Sequence, residues 1–177
     1  FTEARYLAYT ALSADETFPV KGCHLSPAAI LGPGGDAESF HGGPVLVARL
    51  CPVDYHRLHY PADGRTVTRY RVPGRYHSVN PAALQRRSEI FTINERQVSV
   101  LDTAAFGRLA YVEIGAMGVG KIVQTHPDDR PFARGDEKGY FCFGASTAIL
   151  FGEPGRWVPA ADLLEQTASR RETFVRL

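Results

Sequence analysis

Gly135-Asp-Glu-Lys-Gly-Tyr-Phe-Cys-Phe-Gly-Ala-Ser-Thr-Ala-Ile-Leu150 is the stretch on which the reading of this chain turns. It opens as a polar turn and becomes an aromatic strand pattern at Tyr140, Phe141 and Phe143. Gly144, Ala145, Ser146 and Thr147 then precede further apolar residues. A hydroxyl at a tight corner between two strand-like halves is placed to attack the carbonyl before it, because such a corner holds the peptide exposed and strained. The same residues also describe a Gly-Ala kink in a core strand, with Ser146 and Thr147 bonded to backbone, since Gly inside a strand pattern marks a bulge.

The second informative stretch is Cys51-Pro-Val-Asp-Tyr-His-Arg-Leu-His-Tyr-Pro-Ala-Asp-Gly64. Pro61-Ala-Asp-Gly64 is a turn signature, and Thr66–Val72 alternates as an outgoing strand. His56 and His59 therefore sit between strands, three residues apart, and share a face if that segment makes a helical turn. Two imidazoles so placed serve as general base and general acid near neutral pH; alternatively, one is a satisfied structural residue and the other is exposed. The pair lacks a nearby third ligand of obvious type, so no metal site is expected.

Working outward, Ala4–Thr10 and Phe18–Gly22 read as strands, and Pro44–Leu50 as a buried strand, being continuously apolar up to Arg49. Ser26-Pro-Ala-Ala-Ile-Leu-Gly32 has a cap residue, a Pro at the first helical position and a terminating Gly, so it predicts a short helix. Pro33–Gly43 predicts a surface loop, Asn80–Glu89 a second short helix, and Val98–Leu101 and Arg108–Ile114 further strands. Asn94-Glu-Arg96 reads as a solvated turn, or as one that holds the Arg against an anion. Gly115–Lys121 matches a phosphate-binding loop for seven positions, but Ile122 replaces the required Ser or Thr and the chain continues as a strand, so nucleotide binding is rejected. A terminal helix is expected from Trp157 and a charged tail over Ser169–Leu177. Together these predict a β-rich α+β fold, one domain over residues 1–177, with short, mainly antiparallel strands and a few short helices.

The chain of 177 residues is 44% hydrophobic with a formal charge of +1, which gives no general case for a nucleic-acid partner. Cys23, Cys51 and Cys142 are odd in number and widely spaced, which predicts buried free thiols in a reducing compartment. With no run of about 18 apolar residues, nothing is expected to span a bilayer. A cytoplasmic or peripheral-membrane location is the expectation, and a homodimer is compatible with the sequence. Phe1 is no initiator Met, so a processed or truncated product is expected.

Several separated segments, taken in order, resemble the phosphatidylserine decarboxylase family of self-processing, pyruvoyl-dependent enzymes. They are Val20-Lys-Gly22 with Leu31-Gly32, Asp54-Tyr-His-Arg-Leu-His-Tyr-Pro-Ala-Asp-Gly64, Ser78-Val-Asn-Pro81, Asn94-Glu-Arg96, Ile114-Gly-Ala116, Gly135-Asp-Glu-Lys-Gly139 and the Ser146-Thr147 pair. The resemblance implies that the Ser146 hydroxyl attacks the carbonyl of Ala145, that the chain is cut between Ala145 and Ser146, and that Ser146 becomes a pyruvoyl cofactor. It further implies that His59 helps deprotonate the serine, that His56 acts around decarboxylation, and that Glu3 stands where the family's triad Asp is expected.

On this resemblance the chain is a carboxy-lyase that converts phosphatidylserine to phosphatidylethanolamine; a soluble decarboxylase of a free amino acid, an aromatic one such as tryptophan included, is the alternative within the class. Two departures motivate a third reading, an uncleaved module that binds lipid or amine. Glu3 carries one methylene more than Asp, displacing its carboxylate by about 1 Å. Ala145 replaces the family's Gly, costing about 1 kcal/mol if that position needs a positive φ.

Overall fold

The computed structural model describes residues 1–11, 27–78, 82, 89–116, 121–142 and 146–177. The strands among them are β1 (Ala4–Tyr9), β2 (Val45–Leu50), β3 (Arg57–His59), β4 (Gly64–Val72), β5 (Arg96–Thr103), β6 (Gly107–Ile114), β7 (Lys121–Gln124), β8 (Pro131–Phe132), β9 (Glu137–Cys142), β10 (Ser146–Gly152) and β11 (Thr173–Val175). The α-helices are α1 (Pro27–Leu31), α2 (Ile90–Ile93) and α3 (Ala161–Ala168). Eight strands form one antiparallel sheet in the order β11-β1-β2-β10-β6-β5-β4-β8, and β3-β9-β7 form a second. The β-rich α+β expectation is met.

Every residue of β10 is buried, because the strand lies between β2 and β6 with both of its faces covered. Ile149 and Phe151 pack on the helix side with Ile30, Leu31, Ile90 and Phe91. Ala148 and Leu150 point the other way, into a cluster with Leu58, Tyr60 and Phe141 from the second sheet and its flank. A strand covered on both sides must be apolar at successive positions, which is why this one reads as a continuous run. Each large side chain so buried contributes roughly 1.5–3 kcal/mol. The layers are therefore helices, large sheet, small sheet.

Several expectations need correction. Asn94-Glu-Arg96 is not a solvated turn: Asn94 is fully buried and Arg96 is 3% exposed. The Arg96 guanidinium donates to the carbonyls of Ile30 and Ala29 in α1 and to those of Thr92 and Asn94 at the end of α2. It satisfies carbonyls that a helix end leaves without partners, so its charge faces backbone dipoles and, among the described residues, no anion. Burial lowers its pKa. The Asn94 side chain joins the His77 backbone to the Gly115 carbonyl. The tail after Ser169 includes β11, which pairs with β1, so it is not merely a charged tail. Pro33–Gly43 contains a 3-10 turn, Glu38–Phe40, that buries Phe40. Cys51 and Cys142 are free but half-buried.

The expected strand over Phe18–Gly22, the cap at Ser26, Cys23, residues 80–81 and 83–88 of the expected second helix, and Phe143–Ala145 lie outside the described residues.

Replacing Arg96 by Met removes every donor to those carbonyls at once. The variant is expected to lose on the order of 3 kcal/mol of unfolding free energy in urea titration.

Candidate active site

The two halves of the stretch from Gly135 to Leu150 belong to different sheets. Cys142 ends β9 in the small sheet, and Ser146 begins β10 in the large one, opposite Leu50 of β2. The crossing itself, including Ala145, lies outside the described residues. Ser146 has the same strand parity as Ala148 and Leu150, so its side chain is on the face covered by the small sheet, the layer that carries His59. Ser146 is fully buried, and its Oγ has no hydrogen-bond partner among the described residues. Leaving such a hydroxyl unpaired costs about 1–3 kcal/mol. Thr147, on the opposite face, shares this condition.

The segment between β2 and β3 holds both histidines. Its anchor is Asp54, whose carboxylate accepts from the Cys51 backbone N–H and the Arg5 guanidinium, both at 2.7 Å. His56 and His59 do not share a helical face, because Arg57–His59 is a strand. The β3–β9 ladder claims the backbone that a helical turn would need.

Acceptor chemistry fixes the state of each ring. His59 Nδ1 lies 2.9 Å from the Gly135 carbonyl oxygen, which can only accept, so Nδ1 carries a proton. In the neutral ring Nε2 then holds a lone pair, and the Tyr55 hydroxyl donates to it at 3.0 Å. The Tyr55 and His59 rings are nearly parallel, 4° apart. His56 Nδ1 likewise donates to the Asp54 carbonyl at 2.7 Å. Both His59 nitrogens are thus engaged, and neither is bonded to Glu3 or to Ser146. Glu3, which the resemblance puts at the position of the triad acid, is half-buried beside β1.

His59 also lines an apolar cavity of about 470 Å³, whose walls include Leu46, Phe106, Leu150 and Trp157, with Arg134 contributing a cation. Leu150 lies four residues beyond Ser146 on the same face of β10, or roughly 13 Å along the strand. Opposite His59, on β9, stands Glu137. Burial pushes its carboxyl up, but hydrogen bonds from Arg57 and Thr125 outweigh that and hold it below the usual carboxylate range. No group of three or more His, Cys, Asp or Glu able to hold a metal occurs among the described residues.

Tyr55, Gly135 and Arg134 were missed in the sequence. A backbone carbonyl leaves no trace in residue type, whereas the Tyr four residues before His59 could have been noticed. Lys121–Gln124 forms a strand, in line with the rejection of a phosphate-binding loop.

The sequence profile of the phosphatidylserine decarboxylase family matches residues 2–171. The phosphatidylserine decarboxylase proenzyme of Desulfitobacterium hafniense is 39% identical over 173 residues, which are 98% of this chain and 58% of the relative. That of Clostridium perfringens is 38% identical over 175 residues, 99% of this chain and 60% of the relative. That of Chlamydia trachomatis is 36% identical over 175 residues, 99% of this chain and 58% of the relative. The chain thus spans about three-fifths of the length of these curated relatives. A profile match over almost every residue, and this level of identity, establish that the chain belongs to the phosphatidylserine decarboxylase family.

Proposed function

We propose that residues 1–177 act as one phosphatidylserine-decarboxylase-like domain of a carboxy-lyase that makes its own pyruvoyl cofactor from Ser146. The observation that carries this reading is the buried Ser146 hydroxyl, which no described group holds, on the face of β10 turned towards the histidine-bearing layer. Most buried hydroxyls are bonded, whereas one kept for attack must stay available; Thr147 is also unbonded among the described residues but lies on the opposite face, so the face is what singles out Ser146. The position thus fits a residue that is consumed, and the relatives' name, proenzyme, agrees with it.

In this reading Ser146 Oγ attacks the Ala145 carbonyl carbon as His59 Nε2 takes its proton, and the amide becomes an ester. Elimination across the Ser146 Cα–Cβ bond then breaks the ester and leaves a new carboxylate on Ala145. Water releases ammonia from the remaining fragment. The Gly135 carbonyl keeps the His59 proton on Nδ1, so that Nε2 is the basic atom. Tyr55 must yield Nε2 before transfer. A pyruvoyl group at position 146 supplies a ketone that accepts the substrate amine and takes up the electron pair left when carbon dioxide departs. His56, oriented by the Asp54 carbonyl, serves that later step.

The 470 Å³ apolar cavity favours a phospholipid over a free amino acid. Its walls suit the glyceride part of phosphatidylserine, and Arg134 offsets a phosphate charge. The product is then phosphatidylethanolamine, and the enzyme meets its substrate by peripheral contact with a membrane. Among the described residues no helix is long and apolar enough to cross one.

Denaturing electrophoresis of the full-length protein tests the reading. The wild type is expected to give two bands and Ser146→Ala one, while His59→Ala is expected to slow cleavage at least 100-fold. A wild type that stays intact contradicts it. Tyr55→Phe removes the donor that occupies His59 Nε2, and is expected to cleave at least as fast as wild type in a time course. Slower cleavage would instead make Tyr55 part of the proton path.

A further inference from the structure

β9 carries one residue more than β3: Leu58 faces Gly139 but His59 faces Glu137, so Lys138 is the extra residue of a bulge beside His59. Bulges re-aim side chains. This one turns Lys138 into the space between the sheets while Phe141 keeps its place in the core. The Lys138 side chain is fully buried. Its ammonium donates to the Glu113 carboxylate and, at 2.8 Å, to Gln124 Oε1. It also lies 4.9 Å from the centre of the Tyr111 ring. The second Glu113 oxygen accepts from Gln124 Nε2, which also reaches Gln97.

The pair ties β6, which neighbours the Ser146 strand, to β9, which pairs with the His59 strand. Glu113 stands on β6 opposite Ala148 of β10, two residues from Ser146 on the same face. Lys138 stands on β9, three residues after Gly135, whose carbonyl fixes the His59 tautomer. The Lys138 carbonyl accepts from the N–H groups of Thr125 and His126, so its backbone is held as well. Stability alone does not account for such a pair: two buried charges cost several kcal/mol to desolvate, and apolar residues of equal volume are often as stable or more so. Loss of the bulge would also slip the register and flip every side chain beyond it.

We propose that Lys138 and Glu113 are positioning residues for self-processing, setting where the Gly135 carbonyl holds His59 relative to Ser146. The claim rests on the reading of Ser146 and His59 given above. Burial pushes the Lys138 ammonium down and Glu113 opposes this, as expected of a charge retained for its partner.

Two variants of the full-length protein test it. Lys138→Met with Glu113→Met removes both charges together, so no buried charge is stranded. Glu113→Asp keeps the pair but shortens its reach, which covers failure of the first to fold. The double variant is expected to melt within a few degrees of wild type or above it. Both are expected to cleave at least tenfold more slowly, and both are expected to move the His59 ring signal in imidazole-edited NMR. Slow cleavage that follows only a fallen melting temperature, with an unmoved His59 signal, would overturn the proposal, and so would wild-type cleavage in a folded variant. If the wild type itself stays uncleaved, the proposed function fails, and the His59 signal alone still decides whether the pair positions the ring.

Discussion

Burial of β10 on both faces is the constraint from which the other features follow. A strand enclosed between β2 and β6, with helices on one side and a small sheet on the other, has its backbone groups committed to its neighbours. Its side chains have nowhere to be solvated. A polar residue there must find a partner or bear the cost of lacking one. Ser146 opens this strand without a partner among the described residues, and its face is the one turned towards the histidine layer. The fold thus brings a hydroxyl that no described group holds to the seam between its two sheets.

Several polar groups elsewhere in the interior are handled in the opposite way. Arg96 gathers carbonyls from two helix ends, Asn94 ties two loops together, and Asp54 closes the turn that carries the histidines. Lys138 and Glu113 neutralise one another across the sheets. Each is a buried polar group with a described partner, and each fixes an element next to the site. The Ser146 hydroxyl, with no partner among the described residues, contrasts with these groups and lies on the face turned towards the histidine layer. The Tyr111 hydroxyl also lacks a partner among the described residues, but its large apolar ring accounts for its burial; the Thr147 hydroxyl, equally buried and unpartnered among them, lies on the opposite face of β10, away from the histidine layer.

The sequence showed best what burial writes into residue type. Val45–Leu50 and Ser146–Gly152 were readable because strands covered on both sides are nearly continuously apolar. It misled where polar spacing admits two geometries. His56 and His59 have helical spacing, yet the ladder to β9 decides the matter, and a ladder is not local. Asn94–Arg96 looked solvated because two of the four carbonyls that Arg96 serves, those of α1, lie more than sixty residues away. β11 was hidden by charged neighbours and by its length of three residues. Lys138 did leave a signal, a lone cation entering an aromatic strand, matched by a lone Glu113 in an apolar one. Reading them as partners required knowing that β6 and β9 face one another.

Intact-mass measurement of the purified full-length protein bears most directly on the claim that Ser146 is consumed. The account predicts two polypeptides that meet between Ala145 and Ser146, the second lighter by about 17 Da than simple hydrolysis would leave it, because ammonia is lost with the new ketone. A single mass equal to that of the unbroken chain, or a second fragment that still bears the serine amine, would contradict it.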